Sequence, residues 1–441
     1  MKFNNQFLWA ITVSLAGFLF GFDTVVISGA NLPIKELWDT TPLFHGLFIM
    51  SMALWGTVIG SLFGGIPSQR IGRKNTLIWI GILYFVSAVG SGFATDPYMF
   101  SFFRFIGGLG VGASTVAGPA YISEISTPKN RGKLVALYQF NLVLGILIAF
   151  VSNYLLEGLD GTNDWRWMIG VEALPAAIYC FAILSIPKSP RWLVVVKKDL
   201  KGAKEVLIKM GQEHPEKELQ EIIESEKQSL NEGPFFKKYK KPLTLAFLIA
   251  FFNQLSGINF VLYYAPEIFS LSGLGAEDSL FNSIAIGGIN LIFTFVGLYF
   301  IDRVGRRQLL IIGSIGYIIS LSMIALSFYA DLGTIALVVS MMAFIASHAV
   351  GQGTIIWVFI AEIFPNHVRA TGTAFGTGTH WVFAALITLL GPVVINIFKV
   401  NPWPIFAIFA GTMVLQLLFS LFMMPETKGE SLEAIQNKIG I

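Results

Sequence analysis

Three ionisable side chains, Asp23, Arg104 and Glu172, stand inside long apolar runs of this sequence. An ionised group in hydrocarbon is costly, so each marks a place where charge is put to use. Burial raises a carboxylate's affinity for protons and a nearby guanidinium lowers it. An acid under both influences changes its protonation when the Arg moves slightly, which is the chemistry of a proton switch. The alternative is a permanently ionised pair that only holds helices together. A second polar set also falls in apolar runs: Gln139, Asn253, Gln254, Asn259 and Asn290, with Trp357, His380 and Trp381. A carboxamide donates and accepts hydrogen bonds at one side-chain end, as a hydroxyl partner requires. A Trp face packs against the C–H face of a saturated ring. Any one carboxamide is equally explained by an interhelical hydrogen bond, but the cluster in the second half of the chain suits a polyhydroxylated ring. His380 has two readings, a bond to a neighbouring helix or a group that titrates near neutral pH. Asn253, Gln254 and Asn259 share one run. Residues 254 and 259 lie about 140° apart on a straight helix, so a break near Gly257 is needed to bring them together.

The elements that position these groups follow from composition. Hydrophobic residues make up 54% of the 441 and charged residues 13%, against about 25% charged in a soluble domain. Apolar runs near 20 residues, long enough to cross about 30 Å of hydrocarbon, recur at 7–29, 43–65, 76–94, 99–122, 134–155, 167–186, 243–268, 280–301, 308–328, 333–359, 371–398 and 404–424. The fold class predicted is an all-α membrane protein with twelve transmembrane helices. The first run resembles a secretory signal, but it continues past Asp23 to Ala30 without a cleavage site and eleven more follow. The single Cys180 lies in an apolar run and excludes an internal disulfide.

Of the 30 Lys and Arg residues, all but Lys35, Arg104, Arg166 and Lys399 fall at the termini or in alternate loops. The positive-inside rule then places both termini in the cytoplasm. These basic loops report topology, and no nucleic-acid partner is expected. No Asn-x-Ser/Thr acceptor occurs, in keeping with a bacterial inner membrane. No nucleophile–base pair, metal-ligand spacing or phosphate loop is evident, so neither an enzyme, a metal nor a cofactor is expected.

The chain is written twice. Glu124 and Arg131 recur as Glu362 and Arg369, an offset of 238, and Pro187 to Arg191 corresponds to Pro425 to Gly429 at the same offset. Gln69 to Lys74 corresponds to Asp302 to Arg307 at an offset of 233. Such repeats predict two pseudo-symmetric six-helix bundles, 1–186 and 243–424, joined by a helical cytoplasmic linker, 187–242, and followed by a tail, 425–441. Lys198 to Met210 and Lys217 to Leu230 are the helix-compatible stretches of the linker. Gly56, Gly60 and Gly64, and Gly108 and Gly112, are spaced by four, which predicts close helix packing through small residues.

Over nearly its whole length the chain resembles the sugar porter family of the major facilitator superfamily. The resemblance is carried by Gly17 to Asp23, Arg104 to Gly112, Glu124 to Gly132, Ser189 to Leu193, Gln254 to Asn259, Glu362 to Pro365 and Pro425 to Gly429. It implies a monosaccharide and a proton as partners, a bilayer as setting, and function as a monomer. In proton-coupled members an Asp in the first helix is the protonation site, assisted by an Arg and a Glu like Arg104 and Glu172. Facilitative members commonly have Asn there, so Asp23 favours symport. Gln139, Gln254, Asn259, Asn290 and Trp357 match sugar-contacting positions, Trp381 matches a pocket-lining one, and Phe20 and Tyr263 resemble wall or gate aromatics. Arg70, Arg73, Glu124, Arg131, Arg303, Arg306, Glu362 and Arg369 match an inter-helix latch of the cytoplasmic face. Bottom-up, these are solvated charges whose exposed pairs are worth about 0–1 kcal/mol each.

The chain departs from the pattern at Asn253, where Gln is frequent. It does so again at His380 and Ile146, where the xylose-transporting member has Gln, and at Gln69 and Lys188, where acids are usual. The altered hydroxyl pattern leaves the particular sugar open. The expected activity is monosaccharide–proton symport by alternating access; the alternatives are a facilitative uniporter and a non-transporting sugar sensor.

Overall fold

The computed structural model describes residues 5–127, 130–212, 214–227, 238–365, 368–430 and 435, without the side chains of Arg131, 225–227 and 370. Among the described residues eleven helices are long and apolar enough to cross a membrane, and a bent pair, taken as one span, makes twelve. They are α1 (Asn5–Leu37), α2 (Pro42–Met50 and Met52–Phe63, bent by 42°), α3 (Arg73–Gly92), α4 (Pro97–Glu124), α5 (Arg131–Leu156) and α6 (Gly161–Ser185). The second set is α7 (Lys240–Ser270), α8 (Ala276–Val304), α9 (Arg306–Tyr329), α10 (Thr334–Glu362), α11 (Arg369–Phe398) and α12 (Trp403–Phe422). Helices Leu200–Lys209 and Pro215–Lys227 lie between the two sets, on the stretches expected for the linker. Residues 228–230, also expected to be helical, lie outside the described residues.

Local chemistry sets the helix ends. Asp96 caps α4 by accepting from the backbone N–H groups of Tyr98 and Met99, both at 3.0 Å, with Pro97 in the first turn. Gly72 and Gly305 hold φ of +93° and +109° ahead of α3 and α9, a region that favours glycine. The helices outrun the apolar runs. The 33 residues of α1 extend ~50 Å, well past the 7–29 run, because backbone hydrogen bonding continues into the interface after hydropathy falls. Three spans are also interrupted where a continuous helix was expected or a break only anticipated. α6 turns at Val171 and Glu172, α7 breaks at Gly257 between Leu255 and Ile258, and α10 breaks at Gly351.

Packing repeats with the sequence. In the first set α1 lies on α5, α2 and α3 on α4, and α3 on α6. In the second, α7 lies on α11, α8 and α9 on α10, and α9 on α12. The two bundles meet through α2 with α11, through its counterpart α5 with α8, and through α1 with α7. The glycine spacing does what it predicts at the α2–α4 seam. A Cβ on Gly108 would lie 1.9 Å from the Ala53 carbonyl oxygen, and one on Gly112 2.2 Å from that of Thr57. These glycines let backbone rest on backbone.

We expect Gly108→Ala to lower stability by about 1–3 kcal/mol, as overpacking does, read as a lower unfolding temperature in detergent. Gly288→Ala, whose Cβ would meet no atom within 4 Å, should leave that temperature unchanged.

Candidate functional site

A cavity of about 110 Å³ lies between the bundles. It is lined by Phe20 and Thr24 of α1, Gln139 and Ile146 of α5, Asn253, Gln254 and Asn259 of α7, Asn290 of α8, Trp357 of α10, and His380 and Trp381 of α11, among others. Nine of the ten residues expected to bind substrate therefore share one wall system. Tyr263 does not line it. It is buried nearer the Asp23–Arg104 pair, close enough to feel both charges.

The break in α7 builds the carboxamide cluster. Gly257 adopts φ of +83°, which turns the chain so that Asn259 Nδ2 donates to Gln254 Oε1 at 2.9 Å. Gln254 Nε2 donates to Asn253 Oδ1 at 2.9 Å and faces the His380 ring nitrogens at 3.1 and 3.3 Å. His380 thus bonds a neighbouring helix, the first of its two readings. Its ring stands 4.8 Å from that of Trp357 and 4.7 Å from that of Trp381, and Trp381 in turn meets Phe20 at 5.5 Å. Gln139 and Asn290 line the cavity and hydrogen-bond to no other described residue, so both ends of each amide are free for a ligand.

Beside the cavity, Arg104 Nη1 donates to the Asp23 carboxylate and Nη2 to the Asp23 carbonyl oxygen at 3.1 Å. Neither side chain is more than 3% exposed. Glu172, 1% exposed at the α6 interruption, lies close enough to the same pair to feel both charges, and neither of its carboxylate oxygens has a hydrogen-bond partner among the described residues. Two carboxyl groups thus face one guanidinium.

The chain matches the family described as sugar (and other) transporter over residues 9–439. It belongs to that family. It is 34% identical to the arabinose-proton symporter of Bacillus subtilis over 97% of this chain and 94% of the relative. It is 31% identical to the D-xylose-proton symporter of Escherichia coli over 99% and 96%. Its fold superposes on a partially occluded inward-open structure of the E. coli xylose transporter with a TM-score of 0.86 and 29% identity, covering 97% and 99% of the two chains.

The two ends of this sugar transporter differ. At one end, Arg73 pairs with Glu124 at 2.9 Å and Arg306 with Glu362 at 2.8 Å, each pair within one bundle. The two are mirror copies, since Glu124 also accepts from Ser189 Oγ at 2.5 Å and Glu362 from Thr427 Oγ1 at 2.6 Å. These pairs are largely buried rather than solvated, with Arg73 and Arg306 side chains 16% and 10% exposed. Arg70 is exposed, and Arg303 stacks on Tyr299 at 3.8 Å, and neither pairs with an acid among the described residues. Arg369 lies half-buried near Glu362, and the side chain of Arg131 lies outside the described residues.

At the opposite end the bundles are tied together. Asn31 of α1 donates to Glu267 of α7 at 2.8 Å, and Lys35 lies 3.6 Å from the same carboxylate. His45 of α2 donates through Nε2 to Asn31 Oδ1 at 2.8 Å and accepts from Thr40 Oγ1 at Nδ1, 2.8 Å away. The Asn31 amide orientation fixes that tautomer. Lys35–Glu267 is the one ion pair between bundles among the described residues. These residues and His348, half-buried in the cavity wall, were missed in the sequence. An ionisable group inside or beside an apolar run is the signal that finds Lys35, His45, Glu267 and His348, though not Asn31 or Thr40.

The unequal acids have a structural consequence. Glu426 accepts from the backbone N–H groups of Arg306 and Arg307 at 2.9 and 3.1 Å, capping α9. Its counterpart Lys188 offers α3 no acceptor and lies 5.7 Å from the Trp192 ring. We expect Lys188→Glu to restore the cap and raise stability by about 1–2 kcal/mol, seen as a higher unfolding temperature in detergent.

Proposed function

We propose that the protein imports a monosaccharide together with a proton, by alternating exposure of the central cavity. The observation that carries this reading is a buried acid pair facing Arg104 on the helix that also walls the cavity. Asp23 follows Phe20 by one turn of α1, and Thr24 follows Asp23. Two carboxylates against one guanidinium leave an excess negative charge in hydrocarbon, which one proton neutralises. A proton entering down 100 mV supplies about 2.3 kcal/mol, or roughly 50-fold accumulation of sugar. The free amides of Gln139 and Asn290, with Asn259 and the Trp357 and Trp381 faces, suit the hydroxyls and ring of the sugar. Relatives named arabinose-proton, D-xylose-proton and glucose transporters support the substrate class.

In this reading residues 1–186 and 243–424 rock against each other, with 187–242 as a linker and 425–441 as a tail. Both termini are cytoplasmic by the charge of the loops, the host membrane is a bacterial inner membrane, and the monomer is the working unit. The Lys35 end is then external and closed. The Arg73–Glu124 and Arg306–Glu362 pairs brace each bundle at the internal end, where Arg131 and Arg369 complete the set.

The test is uptake by proteoliposomes under an imposed pH gradient, across pentoses, hexoses and polyols. Accumulation of one of these sugars is expected, and equilibration without accumulation would replace symport by facilitated diffusion. Asp23→Asn should abolish accumulation yet keep sugar counterflow, and undiminished accumulation would sink the coupling role. Glu267→Gln should loosen the external closure. Spin labels at Leu43 and Val400, both exposed, should then show a larger long-distance population in a Cys180→Ser background; an unchanged distribution would remove Glu267 from the gate.

A further inference from the structure

Behind the cavity the carboxamides continue away from it in a single file. Asn253 Nδ2 donates to Gln352 Oε1 over a long 3.4 Å, and Gln352 Nε2 donates to Gln416 Oε1 at 2.9 Å. Gln416 Nε2 donates to Ser314 Oγ at 2.8 Å, and Ser314 Oγ donates to the Leu310 carbonyl oxygen at 2.7 Å. Gln352, Gln416 and Ser314 are fully buried. The α9–α10 crossing admits them, because Gly351 and Gly313 approach so closely that a Cβ on Gly351 would lie 3.0 Å from Gly313 Cα.

The file has a direction. An amide can be turned end for end without changing its shape, so the polarity of such a chain is set by groups that play only one role. Two backbone carbonyls, which only accept, supply that role. Leu310 takes the Ser314 hydroxyl proton, and Ile249 lies 3.4 Å from Gln352 Nε2. Reversal would turn the Gln352 oxygen onto the Ile249 oxygen. With the far end fixed, every amide points its NH2 away from the cavity. Asn259 donates to Gln254, Gln254 to Asn253, Asn253 to Gln352, and so on to Leu310. Asn259 Oδ1 is left at the cavity wall with no partner among the described residues.

We propose that Gln352 and Gln416, anchored by Ser314, are positioning residues that fix Asn259 Oδ1 as a hydrogen-bond acceptor, so that one sugar hydroxyl is selected as a donor. This rests on the transport reading above. None of the three side chains touches the sugar; they act by holding the orientation of an amide that does. A hydroxyl that must donate is not replaced by fluorine, which only accepts.

The experiment measures binding of D-xylose, L-arabinose and D-glucose, and of their monodeoxyfluoro derivatives, to the purified full-length protein in detergent. At one ring position the fluoro compound should bind about tenfold or more weaker than its parent, the order of an unsatisfied buried polar group. Ser314→Ala and Gln416→Met, two independent cuts of the file, should shrink that ratio at least threefold, while Ser314→Thr keeps it. A merely structural defect weakens parent and derivative together and leaves the ratio unchanged. That result in whichever cut variant folds overturns the proposal, as does the absence of any fluoro-sensitive position. Failure of all three sugars and the wider panel to bind overturns the transport reading, and the proposal with it.

Discussion

A polar group in hydrocarbon has no water to fall back on, so a buried one is costly unless it finds a partner inside the protein. That constraint organises the molecule. The α7 break at Gly257 would orphan backbone groups in lipid, but it lies buried between the bundles, where Ser256 Oγ accepts from the Ile258 N–H. The Gly351 break faces α9 at Gly313 and is followed at once by Gln352, whose amide joins the file of carboxamides. Glu172 sits at the third interruption and faces Arg104 and Asp23. These three breaks in the backbone thus fall beside the cavity, the amide file and the buried charges, and α2 is also bent, between Met50 and Met52.

Much of this was legible from residue types. Intramembrane charge is rare, so Asp23, Arg104 and Glu172 could be found without knowing which helices touch, and the structure brings all three together. The clustered amides and Trp residues stood out for the same reason, and the need for a turn at Gly257 followed from helix geometry alone. Other features depended on tertiary placement. The resemblance makes Tyr263 a wall or gate aromatic, yet it lies outside the cavity lining and near the charged pair. Arg70 and Arg303 match a motif but pair with no acid among the described residues; in the second half Asp302 and Glu362 both pair with Arg306. Gln352 and Gln416 lie 64 positions apart and become one unit only when α9, α10 and α12 pack. Helix ends were read short because hydropathy follows the lipid whereas hydrogen bonding does not.

The duplicated halves share a skeleton and differ in chemistry. Their helix pairings and their Arg–Glu–hydroxyl braces repeat almost atom for atom. The buried acids belong to the first bundle and the amide file to the second, and among the described residues the main contacts across the interface are made by α1, α2, α5, α7, α8 and α11. The cavity draws its walls from both bundles, Gln139 of α5 facing the amides of α7 and α8, while α1 carries both Phe20 of the cavity wall and Asp23 of the buried pair.

The glycine seam between α2 and α4 bears on how a movement travels. Side chains at an interface can change rotamer and absorb a displacement, whereas two backbones in direct contact have nothing to yield. Arg104 lies on α4, and the seam lies on the Met52–Phe63 part of α2, beyond the 42° bend from His45. A displacement of α4 is therefore passed stiffly to that part of α2, and the bend is the joint at which His45 and the tie it makes can move apart from it.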